Sequence, residues 1–240
     1  MKRIERVTAD GTLTATVFQG AGTGGVILYM DAFGPRAALD EMATRITGWG
    51  YSVLVPDLFY RAGSYGPFDV PTAFDNPVTR AELMGMIAAT TQDMTVRDGA
   101  VFLDMLAAEG VTGPVGTVGY CLGGGRALNA AAAYPDRIKA AASFHGGNLA
   151  SDVPDSPHTR VGSISGRVYV GSAGVDRSFP PEQSARLAQA LREARVDHQI
   201  ENYVGMQHGW CVSDHSVYDA KGAARHWRRL ETFFAEGLAG

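Results

Sequence analysis

Apolar and polar positions follow two rhythms along this chain, and the change from one to the other marks out the elements. From Thr12 to Val17 threonine alternates with apolar residues, the period of a strand with one wet face, and Gly20 to Gly25 supplies a turn. Val26-Ile27-Leu28-Tyr29-Met30 is a continuous apolar run, which predicts a strand buried on both faces. Asp31-Ala32-Phe33-Gly34-Pro35 breaks the run, and from Arg36 to Trp49 apolar residues recur at helical intervals as Leu39, Met42, Ile46 and Trp49. Ser52 to Val55 then reads as the next central strand. Strand, helix and strand in that order form the building unit of a parallel sheet.

The alternation continues to the end of the chain. It predicts helices over Arg80 to Ala88 and Asp93 to Glu109, with Gly110 as a stop, and a strand over Val115 to Val118. A helix from Leu122 to Tyr134, strands over Ala140 to Phe144 and Arg167 to Gly171, and a helix over Pro181 to Ala194 follow. A strand over Gln199 to Tyr203 and a helix from about Ser216 to Phe234 complete the set. Two stretches stay irregular. Asn148 to Gly166 is a connection with Pro154 and Pro157, and Pro56 to Pro77 is rich in Gly, Pro, Asp and aromatics. The latter exceeds an ordinary connection and reads either as a functional loop beside a pocket or as a plain excursion. No repeat or linker divides the chain, so the expectation is a single α/β domain over residues 1–240, a mostly parallel sheet with helices on both faces.

Composition narrows the partners. With 45% hydrophobic and 19% charged residues, the chain has ample apolar side chain for a core. A net charge of −4, with no basic run beyond Arg228-Arg229, gives no footprint for nucleic acid or an anionic membrane and favours a small-molecule partner. Monomer and homodimer both fit. Two cysteines, Cys121 and Cys211, make neither a disulfide framework nor a cysteine zinc site, so no metal is expected and a reducing cytoplasm suits the chain. Met1-Lys2-Arg3-Ile4-Glu5-Arg6 leads into polar residues instead of an apolar signal segment, and no run approaches the roughly 20 apolar residues of a membrane span.

The candidate chemistry lies in Val118-Gly119-Tyr120-Cys121-Leu122-Gly123-Gly124-Gly125, where a buried strand must turn sharply into a helix. Gly-x-Cys-x-Gly has the form of a nucleophile elbow: the turn strains the central residue, and its neighbours must be small. Such a turn would push the Cys121 sulfur outward and aim the Leu122 N–H, at a helix start, toward a developing oxyanion. The alternative is an inert cysteine in a glycine-rich packing turn. An acid and a histidine should follow in that order. Asp176 ends a Gly-rich loop beyond the strand at Arg167, and His208 follows the last strand. Asp176 could instead cap the next helix, with Asp152, Asp155 and Asp197 as substitutes. His208 could be a surface residue, with His145, His158, His198, His215 and His226 as rivals; His145 is the strongest, because it directly follows a predicted strand and could line the same pocket.

With Gly-Tyr-Cys-Leu-Gly-Gly at 119–124, Pro56-Asp57-Leu58 after a strand, Asp176 in its loop and His208-Gly209 near the end, the chain resembles the dienelactone hydrolase family over nearly its whole length. The cysteine carries much of this, because most α/β-hydrolases place serine at the elbow. The resemblance implies an α/β-hydrolase fold, a Cys-Asp-His triad and hydrolysis of a cyclic or activated carboxylic ester without a metal or organic cofactor. It also implies that Ala32 supplies the second oxyanion N–H, and that Asp31 stands where family members carry a glutamate that contacts the resting thiol. Family members that bind a substrate carboxylate use two arginines. Arg80 either matches one of them or is a solvated residue at a helix start, while Gly209-Trp210-Cys211-Val212 has none where the other should follow the histidine. Phe33, Tyr60, Tyr120 and Trp210 suggest a more apolar pocket instead.

The expected activity is therefore hydrolysis of an ester or lactone through a thioester on Cys121, with His208 as base and Asp176 as its orienter. An acyl transferase or thioesterase would share these residues. A redox or ligand-sensing protein would use Cys121 differently, and Cys211, three residues beyond His208, could come near it or be a small buried hydrophobe.

Overall fold

The computed structural model describes residues 1–239. The apolar run at Val26 forms β3 (Gly25–Tyr29), buried at every position, and the same is true of β4 (Ser52–Pro56) and β5 (Val115–Tyr120). Strands this apolar are stable only between two layers of helices. Before them come β1 (Lys2–Thr8) and β2 (Gly11–Phe18); after them β6 (Ile138–Phe144), β7 (Arg167–Val175) and β8 (His198–Gln207). Six helices connect or flank the strands: α1 (Ala37–Thr47), α2 (Pro77–Ala89), α3 (Gln92–Ala108), α4 (Leu122–Ala133), α5 (Pro181–Glu193) and α6 (Ala220–Gly237).

The strands make one sheet in the order β1-β2-β4-β3-β5-β6-β7-β8. From β4 to β8 every neighbouring pair is parallel, while β1 and β2 join antiparallel. The fold is thus the expected α/β architecture. Its order reverses between β3 and β5, and a crevice outside the carboxyl ends of strands at such a reversal is where ligands bind in open α/β sheets. Ala32 follows β3 there and Cys121 follows β5.

Three local results differ from the sequence expectation. β1 has little apolar patterning because it is an outer strand with most residues exposed, held by pairing Lys2 to Val17 through Thr8 to Gly11. β7 and β8 each run four residues past their expected ends, which puts Asp176 and His208 directly at strand termini. α6 begins at Ala220 instead of Ser216, because the Asp219 carboxylate caps it by accepting from the Gly222 N–H at 2.7 Å. Among the described residues, no helix is long and apolar enough to cross a membrane.

Candidate active site

At the end of β5 the backbone of Cys121 takes φ 54° and ψ −115°, a conformation that L-residues seldom adopt, and α4 starts with the next residue. The turn is tight enough to forbid side chains on both flanks. A Cβ on Gly119 would lie 1.9 Å from the Gly123 carbonyl oxygen, and one on Gly123 would lie 2.4 Å from that of Tyr29. The Cys121 N–H donates to Phe144 O at 3.2 Å and to His145 Nδ1 at 3.1 Å, which ties the strained residue to the end of β6.

His208 Nδ1 lies 2.7 Å from Asp176 Oδ2. The other carboxylate oxygen accepts from the Ser178 N–H at 2.8 Å and the Ser178 hydroxyl at 2.7 Å, so the acid is held at both oxygens. With Nδ1 engaged, Nε2 is the ring nitrogen left for the sulfur. Burial alone would favour neutral His208, but the charge on Cys121 and the hydrogen bonds to Asp176 and Cys121 outweigh it and hold the imidazolium up at about 10. Burial likewise opposes ionisation of Asp176, and its bonds to His208 and Ser178 reverse that and keep the carboxyl below its ordinary range. Ser178 was not anticipated; a hydroxyl two residues beyond a loop aspartate was the available signal.

Cys121, Asp176 and His208 all open onto one cavity of about 700 Å3, whose wall also includes Ala32, Leu122 and Phe33. Among the described residues, neither the Leu122 N–H nor the Ala32 N–H has an acceptor within the chain. Two unpaired N–H groups from the ends of adjacent strands, beside a thiol on a helix start, are the parts an acyl-transfer site needs. Among the described residues there is no group of His, Cys, Asp and Glu arranged to hold a metal ion.

A model of the dienelactone hydrolase family matches residues 13–238. The chain belongs to the dienelactone hydrolase family. A protein of Synechocystis sp. named as a carboxymethylenebutenolidase is 26% identical over 223 residues, covering 89% of this chain and 86% of that one. One from Escherichia coli (strain K12) with the same name is 26% identical over 220 residues, covering 88% and 76%. Among solved structures, a protein named as a dienelactone hydrolase from Klebsiella pneumoniae superposes with a TM-score of 0.79 at 22% identity, over 98% of each chain, and so shares the fold.

Within this dienelactone hydrolase family member, several residues expected at the pocket lie elsewhere. Asp31, expected at the thiol, is completely buried, lines no part of the cavity and is taken up by other partners: Arg36 grips both its oxygens at 2.7 and 2.9 Å, His215 Nε2 lies at 3.1 Å, and the Phe33 N–H donates at 3.1 Å. Arg36 in turn reaches Asp214 through Nε and Nη2 at 2.6 and 2.9 Å. This Asp31-Arg36-Asp214-His215 network was missed beyond Asp31 and the naming of His215 among the rivals, because no local spacing relates its two halves. His215 also lines the cavity.

Tyr120 and Trp210 are not pocket residues either. Successive side chains of a strand point to opposite faces, so Tyr120, next to Cys121, is buried on the far side with its hydroxyl 2.9 Å from His226 Nε2. Trp210 packs inward on Tyr203, ring centroids 4.7 Å apart, with no exposed surface. Tyr60 turns toward β1 and β2, where its hydroxyl donates to Asp98 at 3.1 Å beneath the Arg61 guanidinium. Arg80 is exposed in a shallow hollow of about 310 Å3 outside the cavity.

His145 is 1% exposed and sits behind Cys121 instead of lining the pocket. Burial, reinforced by the neighbouring His208, His215 and His226, pushes its pKa well below 6.5 and keeps it neutral, which suits an Nδ1 that accepts from Cys121. Cys211 is 2% exposed, lines no part of the cavity and forms no disulfide, and burial pushes its thiol pKa well up. It has the character of a small buried hydrophobe.

Proposed function

We propose that this carboxylic ester hydrolase cleaves an ester or lactone through a thioester on Cys121, the whole chain acting as one catalytic domain. The observation that carries this reading is the His208 Nδ1–Asp176 contact of 2.7 Å on one side of a strained Cys121, with Nε2 left for the sulfur. His208, held as its cation, is placed to give a proton to a leaving alkoxide.

In this mechanism the Cys121 sulfur attacks the carbonyl carbon, and the carbonyl oxygen takes up negative charge against the N–H groups of Leu122 and Ala32. As the intermediate collapses, the carbon–oxygen bond to the alkoxide breaks and His208 Nε2 gives that oxygen its proton, which leaves the acyl group on sulfur. In a lactone the freed hydroxyl stays attached to the acyl part. The neutral His208 then takes a proton from a water, the resulting hydroxide attacks the thioester, and the thiolate leaves with His208 charged again. Asp176 keeps Nδ1 protonated throughout and stabilises the imidazolium.

Steady-state hydrolysis of p-nitrophenyl acetate and simple lactones by the wild type and Cys121→Ala, with mass spectrometry for an acyl adduct, tests the proposal. Loss of about ten-thousandfold or more in kcat/KM, with an adduct on Cys121 in the wild type, is the expected result. A folded Cys121→Ala that retains its rate would overturn it.

A further inference from the structure

Charge and surface in the cavity say which esters it accepts. One wall is apolar, made by Phe33 from the loop after β3, Val70 and Phe74 from the segment leading into α2, Met84 and Ile87 from α2 itself and Val153 from the connection after β6. Phe33 and Phe74 meet edge to face, ring centroids 5.4 Å apart. The outer part of this wall is left open: Phe74, Met84 and Val153 are 41%, 51% and 51% exposed. Large apolar groups exposed side by side at the mouth of a pocket need an apolar occupant to remove them from water.

The fixed charges of the cavity do not favour an anion. Outside the triad, Asp75 and Asp155 face the cavity against one guanidinium, Arg177, and His215 is turned onto Asp31. Asp176 is already matched by His208. Arg177 stands at the exposed rim, one residue from Asp176, and no cation lies on the apolar wall. Arg80, the nearest cation along α2, lines a different hollow that shares Phe74, Asp75 and Met84 with the cavity. A substrate carboxylate laid along the apolar wall would lose its water without gaining a partner, and it would face two carboxylates.

We infer that the site is selective for neutral esters or lactones with an apolar organic part, seated on the Phe33-Phe74-Met84-Ile87 wall, and that it discriminates against substrates bearing a free carboxylate. This rests on the hydrolytic reading above and specifies its substrate class. A cavity of about 700 Å3 is of the size that holds a drug-sized ligand, with room for an acyl part larger than acetyl.

The test compares p-nitrophenyl hexanoate with mono-p-nitrophenyl glutarate, nearly equal in length and different in a terminal ethyl group or carboxylate, and uses p-nitrophenyl acetate as a control that asks nothing of the wall. In the wild type kcat/KM should favour the hexanoate by about a hundredfold. Met84→Arg, on a half-exposed helix position that tolerates arginine, should narrow that ratio by about tenfold, and Asp155→Asn should narrow it by less. Circular dichroism establishes that the variants are folded. Equal or preferred turnover of the glutarate by the wild type overturns the inference while leaving the hydrolase standing. So does a preference for hexanoate that Met84→Arg leaves unmoved, because the discrimination would then arise elsewhere. If acetate, hexanoate and glutarate are all left intact by folded wild type, the hydrolytic reading itself fails and the substrate class falls with it.

Discussion

Two aspartates each meet a histidine at the edge of the same cavity, and their surroundings give them different work. Asp176 has one cationic partner, His208, and that ring presents Nδ1 to it, which leaves Nε2 free. Asp31 meets His215 through Nε2, the opposite end of the ring, and also carries both forks of Arg36. The His208 side chain is 29% exposed and that of His215 only 11%, over carboxylates 3% and 0% exposed. A proton shuttle needs a nitrogen free at the reacting centre and a partner count that leaves the ring room to change charge. The Asp176–His208 pair meets that need through Nε2. The second joins the loop after β3, which carries Ala32, to the loop after β8, which carries His208, through Arg36 and Asp214. It ties together the two loops that hold the oxyanion donor and the base of the proposed mechanism. Gly209 belongs to this arrangement: its φ is 100°, and a Cβ there would lie 2.4 Å from His215 Nδ1.

The contrast breaks most clearly at the two carboxylates. Asp176→Asn should lower kcat/KM by roughly a thousandfold to ten-thousandfold, with little change in the urea midpoint, because an amide cannot hold the same tautomer of His208. Asp31→Asn should do the reverse. Removing one partner from a buried network costs about 3–5 kcal/mol of stability, and the folded fraction, assayed in the cold, should retain far more activity than Asp176→Asn. A fully stable Asp31→Asn with a rate as low as Asp176→Asn would put Asp31 in the chemistry and end the distinction.

A smaller effect separates fork geometry from charge. Arg36→Lys keeps the cation but cannot span Asp31 and Asp214 with two parallel bonds each, so urea unfolding should show a loss of about 1–3 kcal/mol. An unchanged midpoint would mean that charge alone suffices there.

The pH dependence of stability gives the finest distinction. His208 is held up at about 10 in the fold, against 6.5 unfolded, so its contribution is complete below pH 6.5 and is lost as pH rises through about 10, at up to ~1.4 kcal/mol per pH unit. Asp31 is held below its ordinary value: burial opposes ionisation, and His215 and Arg36 outweigh it. Its contribution is present above that ordinary value and is lost as pH falls through the depressed one. Urea midpoints measured against pH should therefore lose their alkaline decline in His208→Gln and part of their acid decline in Asp31→Asn. An alkaline decline that survives in His208→Gln would assign it to another group.

Much of this molecule is legible in its sequence because the relevant physics is local. The apolar run at Val26, the helical spacing from Leu39 to Trp49 and the glycines around Cys121 each declare an element or a turn within a few residues, and every expected central strand is present. Cys121, Asp176 and His208 could be named because the hydrolase order puts each at a strand end, and the structure brings the three together at one cavity. What the chain could not show in one dimension is which way a side chain faces and what it meets from afar. Tyr120 and Trp210 looked like pocket aromatics and are core, because the pleat turns one away from Cys121 and the other folds inward onto Tyr203. Asp31 stands where the resemblance puts a thiol-contacting acid, and its partners are Arg36 and His215, which the sequence could not show because His215 comes from 184 positions along the chain and Arg36 meets Asp214 across 178. Periodicity and turn chemistry act over a few residues and so are written in the sequence, whereas the partner of a buried charge is chosen by the packing of distant loops and exists only once the sheet has brought their ends together.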